Sequence, residues 1–200
     1  MLEILIATNN FGKVKEIKDI LNSLEVKILT MKDFSNLPKV EEDGKTYQEN
    51  AFKKASKISK YTGKICLADD SGLEIDYLKG EPGIYSSRWG NSDKERISKV
   101  LKLLENIPKN KRNAKFVCVA VLVFPDGKIY MVKEECKGSI TFKPKGEHGF
   151  GYDPIFLVPE YEKTFAELGE KIKNRISHRG KAIRRMIDII NELVVSERIQ

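Results

Sequence analysis

Leu2 to Ala7 is an apolar run of strand length, and beyond its polar end at Thr8-Asn9-Asn10 the apolar period changes. Val14, Ile17, Ile20, Leu21 and Leu24 then recur at helical spacing. The same change happens again: Val26 to Leu29 reads as a second strand, and a polar, acidic segment runs through Gly44. Tyr47, Ala51, Ala55 and Ile58 mark another amphipathic helix, after which Lys64 to Ala68 returns as a strand. Short strands that alternate with one-sided helices bury both kinds of apolar face by layering helices on a sheet, so an α/β fold is expected.

The remainder extends the pattern. Leu73 to Leu78 is strand-like, and Gly80-Glu81-Pro82-Gly83 reads as an ordered turn-rich loop. Ser92 with Glu95 matches a capping box, opening a helix whose apolar face is Ile97, Val100, Leu101 and Leu104. Phe116 to Phe124 and Lys128 to Lys133 flank Pro125-Asp126-Gly127, an antiparallel hairpin signal, so the sheet should be mixed. The last helix carries the broadest stripe, Ala182, Ile183, Met186, Ile187, Ile190, Leu193 and Val194, with Ser177 as its N-cap.

A chain of 200 residues suits one domain, residues 1–200, with a substantial core. No apolar stretch approaches the roughly 20 residues of a membrane helix. Met1-Leu2-Glu3-Ile4 places an acid where a signal peptide has positive charge, so the expected compartment is the cytoplasm. Cys66, Cys118 and Cys136 are odd in number and widely spaced, which fits buried thiols rather than a disulfide framework or a zinc site. The formal charge of +7 favours polyanionic partners without separating nucleic acid from a phosphate ester. The lysines are scattered, and most, Lys53-Lys54 included, read as solvated surface.

Five segments carry chemistry. Thr8-Asn9-Asn10-Phe11-Gly12-Lys13 lies where a strand hands over to a helix, and exposed N–H groups there, with the positive dipole end and a lysine, suit a phosphate chain. The plainer alternative is a capped turn with a surface lysine. Asp69-Asp70 at an apolar strand's end, followed by Ser71-Gly72, can hold Mg²⁺ or take a proton from water, or can simply end the strand as an Asx turn. Neighbours on a strand face opposite sides, so one acts in the site and the other supports it. Glu41-Glu42-Asp43-Gly44 offers a further carboxylate, or is a solvated acidic loop. Gly149-Phe150-Gly151-Tyr152-Asp153-Pro154 presents an aromatic able to stack on a base, unless Phe150 plugs the core. Lys173 with Ser177-His178-Arg179 puts cations at the mouth of the last helix, where they oppose the dipole and call for an anion.

In this order, Thr8-x-Asn10-x-x-Lys13, Leu67-Ala68-Asp69-Asp70-Ser71-Gly72-Leu73, Pro82-Gly83-Ile84-Tyr85-Ser86-Ser87-Arg88, Gly149-Phe150-Gly151-Tyr152-Asp153-Pro154-Ile155-Phe156 and Ser177-His178-Arg179-Gly180 resemble the inosine triphosphate pyrophosphatase family over nearly the whole chain. That resemblance implies an elongated mixed β-sheet flanked by helices, in two lobes with the nucleotide cleft between them, assembled as a homodimer. It implies hydrolysis of non-standard purine nucleoside triphosphates (ITP, dITP, XTP) to the monophosphate and pyrophosphate with Mg²⁺. By motif, Thr8, Asn9, Asn10, Phe11, Gly12 and Lys13 would line the triphosphate, and Asp70 would bind the metal and accept a proton. Ser71 would touch substrate, and Phe150, Gly151, Tyr152, Asp153, Lys173, His178 and Arg179 would surround the nucleotide and its base. Glu41 would be the second metal carboxylate, with Glu42 a rival; Lys171 rivals Lys173. Asn9 stands where the family often has glycine, and Trp89 where tyrosine is common.

Donors such as Arg179, His178 or backbone N–H groups would donate to the C6 oxygen of hypoxanthine or xanthine and leave ATP unpaired. The rival class is a nucleic-acid-binding domain without catalysis, which the charge and Phe150 favour. Against it, no nucleic-acid motif is present and the basic residues form no aromatic-interleaved stripe.

Overall fold

The structure, a computed structural model, describes residues 2–198, with the side chains of residues 193–198 excepted; Leu193 and Val194 of the last-helix stripe therefore lie outside the described residues. The chain forms strands β1 (Leu2–Ile6), β2 (Val26–Thr30), β3 (Ile65–Ile75), β4 (Asn113–Val123), β5 (Ile129–Ile140), β6 (Phe156–Val158) and β7 (Lys163–Thr164). Its helices are α1 (Phe11–Leu21), α2 (Tyr47–Thr62), α3 (Asp93–Leu103), α4 (Phe165–Ile176) and α5 (His178–Arg198), with short 3-10 turns between elements.

The strands make one sheet in the order β2-β1-β3-β4-β5-β6-β7. β1 pairs parallel with β2 and with β3, whereas β6 pairs antiparallel with β5 and β7, so the sheet is mixed as expected. The turn between β4 and β5 closes through the Gly127 N–H on the Phe124 carbonyl at 3.0 Å. No helix among the described residues is long and apolar enough to cross a membrane.

Two compact units divide the chain. Met1–Asp70, Cys118–Glu134 and Arg179–Gln200 form the first; Ser71–Val117 and Glu135–His178 form the second. The core of the first is aliphatic, with Ile4 and Ile6 of β1, Ile17 and Leu21 of α1, and Ile183 and Met186 of α5 all fully buried. The second is built around aromatic rings: Phe116 lies 4.6 Å from Phe156 and 6.0 Å from Phe165, centroid to centroid. Each such ring contributes roughly 1.5–3 kcal/mol through burial alone.

Two local expectations change. The separate strands expected over Lys64 to Ala68 and Leu73 to Leu78 merge into one strand, β3 (Ile65–Ile75), with Asp69-Asp70 inside it rather than at an end, and Asp76–Leu78 is a 3-10 turn. Acids are poor strand formers by propensity, but partners on both faces compensate these two, and tertiary context overrides propensity. The capping box at α3 is half made. Ser92 Oγ accepts the Glu95 N–H at 3.2 Å, but the Glu95 carboxylate accepts from Asn91 rather than Ser92. All three cysteines are buried thiols outside any disulfide, and burial pushes the Cys66 thiol up to about 12.

Candidate active site

The alternation of side chains along β3 gives Asp69 and Asp70 different surroundings. Asp69 is fully buried and receives three cations: Lys13 Nζ at 3.0 Å, Arg179 through Nε and Nη2 at 3.2 Å each, and Lys54 Nζ on its backbone carbonyl at 2.7 Å. Burial alone would raise its pKa, but Lys13, Arg179 and Lys54 together hold it well below the usual carboxylate range. Asp70 accepts from Asn50 Nδ2 at 3.1 Å and has Lys54 Nζ at 3.9 Å. Here burial outweighs the nearby lysines, Glu42 adds like charge, and the carboxyl stands above its ordinary value.

Asn50 and Lys54 were not among the expected site residues. They lie four apart on the inward face of α2, and at 6% exposure Lys54 is not the solvated lysine its doublet suggested. Their signal was positional: the stripe Tyr47, Ala51, Ala55 and Ile58 places Asn50 and Lys54 on its own face, where an unpaired polar group is costly. Glu16 was missed as well. It is buried on α1 and pairs with Arg179 Nη1. Arg179, at 2% exposure, thus lies against Asp69 and Glu16 instead of standing open as a base-reading donor.

The loop before α1 takes its shape from its own side chains. Thr8 Oγ1 accepts the Asn10 N–H at 3.2 Å, and Asn10 Oδ1 caps the helix by accepting the Lys13 N–H at 3.0 Å. A helix leaves its first N–H groups without intrahelical acceptors, so this end faces anions well. Asn9, Asn10 and Phe11 are exposed, Gly12 is half-buried, and Lys32 sits over the Phe11 ring at 4.1 Å. Lys13 points back to Asp69.

The carboxylate brought to Asp70 is that of Glu42, not Glu41. Lys54 Nζ lies 3.1 Å from Glu42 Oε1 and reaches Asp70 from the same position, while Glu41 is exposed. Of these neighbours in an irregular segment, Glu42 is the half-buried one and Glu41 the exposed one. No three His, Cys, Asp or Glu side chains gather into a metal-binding group among the described residues. The donor set nevertheless fits Mg²⁺, which is commonly held by one or two carboxylates with substrate phosphates and water completing six oxygens. A lysine ammonium already bridges Asp70 and Glu42, so the pair is arranged for positive charge.

In the second unit, the loop Gly149 to Asp153 is held from within. Asp153 is buried, accepts the Phe150 N–H at 2.9 Å and pairs with Lys173. Lys173 Nζ lies 4.5 Å from the Phe150 ring, while Lys171 is exposed. Gly149 has φ +81°, and a Cβ there would come within 2.0 Å of Asp153 Oδ2, so no other residue fits. Tyr152 is buried and donates its hydroxyl to the Ser86 carbonyl at 2.9 Å. Phe150 is half-buried and Ser71 likewise. His178, at the start of α5, is buried with its ring stacked on Phe116 at 4.6 Å and 7°. Ser177 precedes it in extended conformation, as an N-cap position requires.

A model of the Ham1 family matches residues 4–189 of this chain. The dITP/XTP pyrophosphatase of Desulforamulus reducens is 45% identical, covering 99% of this chain and 100% of its own length. That of Geobacter sulfurreducens is 47% identical over 92% and 94%. Among solved structures, a HAM1 protein from Coxiella burnetii matches with a TM-score of 0.87 at 42% identity, covering 96% of this chain and 100% of that one. The Ham1 protein of Staphylococcus aureus gives 0.84 at 40%, over 95% and 98%. Agreement of this extent, in sequence and in backbone alike, is inheritance of the whole architecture, and the chain belongs to the Ham1 family.

Proposed function

We propose that this protein hydrolyses non-standard purine nucleoside triphosphates (ITP, dITP and XTP) to the monophosphate and pyrophosphate, clearing them from the nucleotide pool of the cytoplasm. The observation that carries the chemistry is the group around β3: Asp70 and Glu42 sharing Lys54, beside Lys13 at a helix N-terminus. The names of relatives matched over 94–100% of their length support the substrate class.

In this reading the start of α1 and the lysines Lys13 and Lys54 bind the triphosphate, adding fixed positive charge where the transition state gains negative charge. Asp70 orients the attacking water and accepts its proton, with Asn50 fixing the carboxylate by its 3.1 Å hydrogen bond. Asp70 and Glu42 would hold Mg²⁺, which when bound supplies further charge to the triphosphate and to the leaving pyrophosphate. Phe150 stacks on the base, with Lys173 and Asp153 keeping its ring in place. His178 is assigned to the base end with Ser71, while Arg179, enclosed by Asp69 and Glu16, holds the Asp69 carboxylate behind the site. The C6 oxygen of hypoxanthine accepts a hydrogen bond that the amino group of adenine cannot, which is the basis for rejecting ATP.

The test is an ITP assay with Mg²⁺ that identifies the product. Pyrophosphate should appear in step with IMP, EDTA should abolish turnover, and kcat/KM for ITP should exceed that for ATP by orders of magnitude. Release of orthophosphate alone, or equal use of ATP and ITP, would reject the assignment. A homodimer is proposed on the family resemblance; light scattering should return about twice the 22.8 kDa chain mass, and a monomer mass would refute it.

A further inference from the structure

Asp93, the first residue of α3, has a carboxylate with two separate duties. Its Oδ2 accepts the Gly151 N–H at 2.7 Å, across 58 residues of sequence. Its Oδ1 pairs with Arg96 Nη2. Arg96 is itself fixed, because Nη1 donates to the carbonyls of Ser87 at 2.8 Å and Gly90 at 2.9 Å. A rigid chain of contacts thus runs from residues 87–90 through Arg96 and Asp93 to the backbone of the Phe150 loop.

Inside that loop, consecutive N–H groups are held by different acids. The Phe150 N–H goes to Asp153 and the Gly151 N–H to Asp93. Gly151 has φ +63°, a left-handed turn of the backbone open to glycine. Phe150 stands between two anchored peptides, so the direction of its ring depends on both acids. Asp153 is buried and also carries Lys173; Asp93 is 44% exposed and stands outside the loop it holds.

We infer that Asp93 is a positioning residue for nucleotide binding: by holding the Gly151 N–H, it presets the Phe150 ring for stacking on the base and so sets KM. The inference rests on the assignment of Phe150 to the base. An acid at a helix's first position also favours the dipole, and that role alone would move stability but not the balance of KM and kcat.

The experiment compares Asp93→Ala and Asp93→Asn with the parent protein in steady-state ITP hydrolysis, with IMP affinity measured by calorimetry. Asp93→Ala should raise KM on the order of tenfold, the worth of one charge-assisted hydrogen bond partly open to solvent, with kcat within about twofold. IMP binding should weaken by a similar factor. Asp93→Asn keeps an acceptor for Gly151 and should recover KM to within about threefold of the parent. Arg96→Met, which frees the carboxylate without removing it, should raise KM severalfold and serves if Asp93→Ala does not fold. An unchanged KM in a folded Asp93→Ala, a fall in kcat alone, or no recovery in Asp93→Asn would overturn the inference. If the parent protein itself leaves ITP uncut, it is the functional assignment that fails.

Discussion

Asp70→Asn is expected to lower kcat for ITP by about 10²–10⁴-fold, the usual worth of a positioned proton acceptor. Asparagine preserves size and retains an acceptor for Asn50 Nδ2, so the packing against α2 should survive. What it removes is the charge. In the folded protein that charge is held at a cost, since burial, with Glu42 close by, raises the carboxyl above its unfolded value despite Lys54 and Lys13. The sign follows: a group whose folded pKa is raised favours the fold when protonated, and its ionised form works against it at neutral pH. Measured without metal at pH 7, the Tm of Asp70→Asn should therefore hold or rise while activity collapses. Such opposition of stability and function marks a residue kept for chemistry. Near-normal turnover would reject Asp70 as the acceptor, and a large fall in Tm would show the loss of activity to be a folding defect.

The strands and helices of the first third were legible because short apolar runs give way cleanly to apolar residues at helical spacing. The continuity of β3 was not. Asp69-Asp70-Ser71-Gly72 has the composition of a turn, and only Lys13, Lys54, Arg179 and Asn50, distant in sequence, make an extended path through two acids tolerable. The same long-range pairing hid Lys54. As half of a lysine doublet it looked like surface, and its burial becomes legible only by following the α2 stripe residue by residue. Glu42 rather than Glu41 is a matter of which neighbour turns inward, which an irregular segment without period does not encode. Arg179 was found by its motif, but Glu16 lies just off the apolar stripe of α1 and carries no comparable signal. The Phe150 loop was the most readable part, since Gly149 and Gly151 announce backbone angles that other residues avoid, although its external anchor Asp93 was not.

The buried ion network supplies the second large effect. Arg179→Met should destabilise the protein by about 3–5 kcal/mol, because it leaves Glu16 and Asp69 buried with less compensation. Neither arginine nor acids are open to solvent, so screening gives little relief. For a chain of this length that is a fall in Tm on the order of 10 °C. Lys13 and Lys54 still reach Asp69, whereas the Glu16 carboxylate loses its pairing with Arg179 Nη1. A double-mutant cycle isolates this. Glu16→Gln in the Arg179→Met background should recover part of the lost Tm, since it removes a buried charge whose compensation has been reduced, whereas in the parent protein the same change should be destabilising. A Tm for Arg179→Met within 2 °C of the parent, roughly the resolution at which surface substitutions become indistinguishable, would show the network to be no structural element. Strict additivity across the cycle would show that Glu16 and Arg179 are not coupled. If the coupling is found, the fixed position of Arg179 is a property of the fold before any nucleotide arrives, and its guanidinium serves to hold the Asp69 carboxylate in place beside Lys13.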